Sequence, residues 1–423
     1  MLCFVKNYLD FIFRERRILV FGASLTFFSS FGQTFLFSLF VPFFLEEFSL
    51  TNGTFGSLYS LATLTSAAVL PMAGLWIDRI PVKHYSTAVA LTLALASLLM
   101  ANSWGLATLF LAIFFLRLAG QGLSGHTADT TMAKVYDRER GKALSISSLG
   151  YPIAEGVMPL LVAALTTFMY WRNLWLLFAF TLALFVAPAY FRLIRKHPVN
   201  EEVARKGAQH REARKASGRR WVNPFEYLSL LKDRRLLVVL PAALVPPFWV
   251  TGFFLYQVSF GPEYGWRPTT IATAFIGFAI SRVISAIAIG PLIDRFTARR
   301  LFPFYLLPLM ASFLVPIFIP GAWSVYPYLF LMGLLMGLAN PLKSALWAEM
   351  YGVDNIGQVR SVFASLMVFG TALSPFILGF LLDSRFSVDL IFGMAVVSCV
   401  LAMIVSFQTM KHGFCQSDYE TTH

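Results

Sequence analysis

Gly74-Leu75-Trp76-Ile77-Asp78-Arg79 returns 216 residues later as Gly290-Pro291-Leu292-Ile293-Asp294-Arg295. The same offset pairs Gly141 with Gly357, Ser145 with Ser361 and Pro159 with Pro375, in one register and without a gap. One such match is chance; several across this length point to a duplicated unit, which must be recognised before any element is assigned.

What lies around the two copies is apolar. Of 423 residues, 57% are hydrophobic and 13% charged, with a mean hydropathy of +0.67. A soluble domain carries roughly 25% charged and 45–50% apolar residues. So few charges cannot cover so much apolar surface in water, whereas hydrocarbon can surround it. Aromatics at 16%, with 43 Phe, suit lipid-facing helices and interfacial belts. The net charge of +12 lies in short loops between apolar runs, not on a basic face, so no nucleic-acid partner is expected.

A bilayer core about 30 Å thick takes roughly 20 apolar residues per helix. On that ruler the chain holds twelve runs: 18–45, 54–77, 84–101, 104–134, 142–167, 173–192, 236–260, 268–293, 301–320, 323–350, 359–382 and 388–410. The first is far longer than the core of a signal peptide and lacks a clear cleavage site, so it is expected to stay as a membrane helix. Lys and Arg total 34, of which Arg172, Arg267 and Arg385 fall in loops on one side and Arg117, Arg282 and Lys343 inside the runs. The remainder lie on the other side, which the positive-inside rule makes cytoplasmic, together with both termini. The expected fold is an all-α membrane protein with twelve transmembrane helices in two pseudo-symmetric six-helix bundles. The bundles occupy 1–192 and 236–410, the linker 193–235 and a cytoplasmic tail 411–423. Within the linker, Asn223-Pro224-Phe225-Glu226 reads as the start of a short amphipathic helix lying on the membrane, with Phe225 and Leu228 toward lipid. Cys3, Cys399 and Cys415 have no metal-ligand spacing and give no disulfide framework.

The two repeated segments carry a resemblance. Residues 74–84, GLWIDRIPVKH, resemble the loop between helices 2 and 3 of the major facilitator superfamily, and residues 290–300, GPLIDRFTARR, resemble its echo between helices 8 and 9. The resemblance covers essentially the whole chain. It implies the major facilitator fold, solute transport by alternating access, and a gating role for Gly74, Asp78, Arg79, Gly290, Asp294 and Arg295. Physically, the glycine lets helices approach closely, and the Asp at a helix end can pair with a cation or cap a neighbour. Pro81 stands where the family prefers Gly and Val82 replaces a basic residue, so the first copy is expected to lock more weakly. Residues 115–126, FLRLAGQGLSGH, resemble the helix 4 pattern of the family. Residues 137–159 are similar to the loop and fifth helix of bacterial members, including monocarboxylate-transporter-like ones.

An ionisable group near the bilayer centre costs roughly 2.5–3.5 kcal/mol on insertion scales, so each calls for a role. Arg117 on helix 4 either binds an anionic substrate or tunes a nearby carboxylate, or is structural, paired to a helix carbonyl or to Asp78. Gln121 and Ser124 follow it at helical spacing. Arg282 on helix 8 stands where monocarboxylate-transporter relatives engage the substrate carboxylate; their Asp one turn earlier is Phe278 here. Glu155 on helix 5, sharing a face with Tyr151 and Ser148, is read as the coupling-proton carrier or as a partner of Arg117. Gln33 and Asn340 are candidate hydrogen-bonders in the cavity. His126, Asp129, Lys343 and Glu349 read as a cytoplasmic gate network or as interfacial anchors, and Gly333 with Gly337 as a helix-packing pair. Two deep Arg against one Glu favour an anion.

The expected function is therefore secondary-active transport of a small organic anion such as a monocarboxylate, proton-coupled through Glu155. Its binding residues would be Arg117, Arg282, Gln33, Gln121, Tyr151 and Asn340. The rival is a multidrug or metabolite efflux carrier. Paired catalytic carboxylates, metal-ligand clusters and phosphate-cradling loops are missing from the sequence, so no enzyme, cofactor or metal is expected. The expected partners are a small solute and membrane lipid, for a monomer in the bacterial inner membrane.

Overall fold

A computed structural model describes residues 10–136, 138–201, 233–384 and 386–410, with backbone alone at 353–358, 360 and 361. The amphipathic stretch expected at 223–233 falls outside the described residues except for Asp233, as do Cys3 and Cys415. Among the described residues the chain is helical and has no strand.

The first apolar run is labelled α1 (Arg16–Phe28). Among the described residues, eleven other helices are long and apolar enough to cross a membrane. They are α2 (Asn52–Asp78), α3 (Val82–Ala101), α4 (Leu106–Val135), α5 (Arg140–Leu165), α6 (Trp171–Ile194), α7 (Arg234–Tyr264), α8 (Pro268–Phe296), α9 (Ala298–Phe318), α10 (Ala322–Gly352), α11 (Val362–Asp383) and α12 (Val388–Met410). Moved along by 216, the bounds of α2, α3, α4 and α6 fall within two residues of those of α8, α9, α10 and α12. The repeat read from short motifs is therefore a repeat of whole helices.

The run expected to be unbroken over 18–45 is not. After Phe28 it passes through a 3-10 turn, Ser29–Gly32, and two short helices, Thr34–Phe37 and Val41–Glu47. The break is local, since the corresponding α7 continues as one 27-residue helix, Arg234–Phe260, through Pro241, Pro246 and Pro247. Packing supplies the reason. A Cβ on Gly120 of α4 would lie 2.6 Å from the Gly32 nitrogen and 2.7 Å from its Cα. The two backbones touch, and neither site admits a side chain.

The chain forms two compact units, Met1–Phe48 with Leu61–Trp221, and Ser49–Ser60 with Val222–His423. In the first, Trp175 packs on Phe37, Phe40 and Phe178. In the second, Phe253 stacks on Phe392 at 4.4 Å, with Phe313 alongside. Also in the second unit, the Asp383 carboxylate accepts from the backbone N–H groups of Asn52 (3.0 Å) and Gly53 (2.7 Å), capping the start of α2. Outward faces carry apolar stripes, such as Phe180, Leu184 and Phe185 on α6 and Ile276, Ile280, Ile284 and Ile287 on α8.

Candidate functional site

In the first unit the polar groups gather around the break in α1. Arg117 opens a π-helical stretch, Arg117–Ser124, inside α4. Such widened turns recur at functional sites. Ser124 Oγ donates to Ala119 O five residues back, at 2.7 Å. The Arg117 guanidinium is 2% exposed and donates to Gly32 O at 2.9 Å and to Thr34 Oγ1 at 3.4 Å. Carbonyls at a helix end lack intrahelical partners, so the buried cation satisfies the broken span. Of the structural readings of Arg117, the helix carbonyl is the one found; Asp78 is engaged elsewhere.

The π turn also changes which residues share a face. Regular spacing puts Gln121 beside Arg117, yet Gln121 is exposed while Arg117 and Ser124 are buried. Gln121, His126 and Asp129 form an exposed polar strip on α4, in contrast to the apolar strip on α6. Glu155 is buried, and α5 touches the same Ser29–Gly32 turn that receives Arg117. Gln33, half-buried, ends that turn. Tyr151 directs its hydroxyl at Gly125 of α4. Arg117 and Gln33 thus flank one structural break, and Glu155 lies on α5, which touches it, with Tyr151 one turn before Glu155.

In the second unit Arg282 is half-buried on α8. At about 100° per residue it points roughly 160–200° away from the Ile280 and Ile284 stripe. A side chain on Gly337 of α10 would strike the carbonyl of Arg282, and one on Gly333 the carbonyl of Phe278. The glycine pair is a packing device, as its spacing indicated. Phe278, which holds the family's acidic position, is buried against Phe254 and Phe275.

Farther along α10, Asn340, Lys343, Ser344 and Trp347 line a cavity of about 260 Å³, closed on the α11 side by Phe363, Ala364 and Met367. Lys343 is 6% exposed, and its Nζ lies 5.1 Å from the centre of the Phe363 ring. Among the described residues Lys343 has no ion pair and no side-chain hydrogen bond. Lys343 is thus a buried cation at the wall of a cavity. Its significance was not legible because the α11 wall lies some 20 residues away in sequence.

The repeated motif behaves differently in the two units. Asp78 pairs with Lys134 Nζ of α4 at 2.7 Å, and His126 Nε2 lies 3.3 Å from Gly74 O. Arg79 is exposed. Asp294 is exposed and has no ion pair among the described residues, Gly290 faces open space, and Arg295 lies over the Phe296 ring. Within its own unit, the first copy holds an ion pair. Lys134, which the motif does not contain, supplies the charge that Val82 lacks. Glu349 accepts from Ala298 N at 2.7 Å and Arg299 N at 3.1 Å, capping α9. The matching start of α3 is capped by Asn200, which accepts from Lys83 N at 3.0 Å.

A duplicated bundle of long apolar helices, with charged groups at breaks and cavities inside it, defines a membrane carrier. The profile of the Major Facilitator Superfamily matches residues 22–262 and 247–412, and the chain belongs to that superfamily. No curated protein matches it in sequence. Among solved structures it is similar to a point mutant of the nucleoside transporter NupG, with TM-score 0.72 and 13% identity over 94% of this chain and 100% of that one. A point mutant of a peptide transporter POT, in complex with alafosfalin, gives TM-score 0.67 and 14% identity, covering 95% of this chain and 99% of that one. A bacterial homolog of the human lysosomal transporter Spinster, in an inward-facing and unoccupied conformation, gives 0.69 and 14%, covering 93% and 96%. Identities this low carry the fold alone.

Proposed function

We propose that the chain is a secondary-active carrier of a small organic anion, with a monocarboxylate as the simplest case, working by alternating access. The observation that supports this reading is the charge inside the spans: Arg117, Arg282 and Lys343 are buried or half-buried, against one deep acid, Glu155. Each charge at depth is costly, and a surplus of cations favours an anionic solute over a cationic one. In the second unit Arg282 is the carboxylate-binding group; in the first, Gln33, Gln121 and Tyr151 are hydrogen-bonding groups. Arg117, held by the α1 turn, adds positive field, and Glu155 carries the coupled proton. Gly74, Asp78, Arg79, Gly290, Asp294 and Arg295 work as the gating loops. The protein acts as a monomer in the bacterial inner membrane with both termini cytoplasmic.

The test is uptake of labelled small carboxylates into proteoliposomes under an imposed pH gradient. Uptake should be accelerated by an acidic source compartment, abolished by Arg282→Ala, and uncoupled from the gradient by Glu155→Gln. Undiminished uptake in Arg282→Ala, or transport of cations in place of acids, overturns the reading.

A further inference from the structure

We infer that the cavity between α10 and α11 is a binding site for a small, flat aromatic carboxylate, with Lys343 as its counter-ion. The inference deepens the carrier reading and rests on it for the class of solute, but it names a station separate from Arg282. Gly337 packs against the Arg282 carbonyl, and Lys343 lies six residues farther along the helix, about 9 Å away at 1.5 Å per residue.

Three observations converge on that ligand. First, Lys343 is almost wholly buried and faces the cavity, yet among the described residues its one recorded partner is the Phe363 ring. A buried ammonium needs an anion or strong acceptors to replace its lost water, and a ring face replaces part of it. Second, the remaining polar groups are neutral and clustered near it. Asn340 and Ser344 lie three residues before and one after Lys343, on the same face of α10, and can serve a second carboxylate oxygen. Among the described residues no Asp or Glu lines the cavity. Third, the rest of the wall is Trp347, Phe363, Ala364 and Met367, which suits a planar apolar body. The volume of about 260 Å³ equals the liquid share of roughly nine waters. It has room for a molecule near the size of benzoate. On binding, the carboxylate draws the ammonium from the Phe363 ring and leaves that ring to stack on the ligand.

The probes are benzoate and its neutral analogue benzamide, titrated calorimetrically into the purified full-length protein and into Lys343→Met and Lys343→Arg. Benzoate should saturate, and benzamide should bind at least tenfold more weakly. Lys343→Met should lose at least tenfold in benzoate affinity, and Lys343→Arg should stay within about threefold of the parent. A melting scan guards against misfolding: Lys343→Met should melt no lower than the parent, because it removes a buried cation that has no carboxylate partner among the described residues, and benzoate should raise the melting point of the parent alone of the two. Benzoate affinity unchanged in Lys343→Met, or equal affinity for benzamide, overturns the assignment. The two readings fail separately. Lys343-dependent binding without benzoate uptake in proteoliposomes leaves the site standing and refutes carriage of this acid. Benzoate binding and uptake both indifferent to Lys343→Met refute the site and leave the carrier reading intact.

Discussion

Replacing Gly120 by Ala should destabilise the first unit far more than its size suggests. The added Cβ would lie 2.6 Å from the Gly32 nitrogen and 2.7 Å from its Cα, where ordinary contact is 3.4–4 Å. Both atoms are backbone, so no rotamer change relieves the clash, and the α1 turn must move away by about 1 Å. That shift lengthens the 2.9 Å bond from Arg117 to Gly32 O beyond hydrogen-bond range. Overpacking of this kind costs about 1–3 kcal/mol. Losing a hydrogen bond from a charged donor adds about 1.5–3 kcal/mol. The better helix propensity of Ala returns about 1 kcal/mol, leaving a net loss of roughly 2–5 kcal/mol. For a unit near 200 residues this corresponds to a fall in melting temperature of roughly 5–15 °C. The assay is a thermal melt of the purified protein in one detergent, with Gly393→Ala as the control, since a Cβ at Gly393 meets nothing within 4 Å. If Gly120→Ala melts within about 2 °C of the parent while Gly393→Ala behaves as expected, the idea that the backbone crossing fixes the break in α1 is wrong.

Glu349→Ala removes both backbone bonds at the start of α9 and should cost about 1–2 kcal/mol, read as faster hydrogen exchange at Ala298 and Arg299, with Glu349→Gln intermediate. Asp78→Asn breaks an ion pair whose side chains are 60% and 27% exposed, so stability should change by less than about 1 kcal/mol while the uptake rate shifts measurably; a large drop in melting temperature would show that the pair is structural. Beyond the first span, the Tyr170 hydroxyl, then Arg172 and Trp171, hold the Glu47 carboxyl below its usual value against the opposing effect of burial. A depressed carboxyl contributes stability above the ordinary carboxylate range and loses it as pH falls through the lowered value, so Glu47→Gln should melt below the parent at neutral pH and converge with it in acid.

The helices were legible because hydrophobic length is a coarse signal that survives without tertiary information. The ends of α8 and α10 fall within three residues of the apolar runs that announced them. The break in α1 was not legible, since Ser29-Ser30-Phe31-Gly32 is short, and what opens it is a glycine and a guanidinium on a helix some 85 residues away. The site was partly legible. Charges inside apolar runs single themselves out, which marked Arg117, Glu155 and Arg282. Their company did not follow from spacing, because the π turn displaced Gln121 from the face of Arg117. Lys343 shows the same limit, as it reads as an interfacial lysine until Phe363 and Met367 are placed opposite it.

The paired starts of α3 and α9 bear on how the gene could be divided. Lys83 and Arg299 are equivalent under the repeat, but one leans on Asn200, just past α6, and the other on Glu349 of α10. The front half therefore borrows its stopper from the stretch that joins it to the rear, whereas the rear half brings its own. Two separately translated pieces cut after residue 201 would each keep a finished helix start, and a cut only a few positions earlier would leave the front piece frayed at α3.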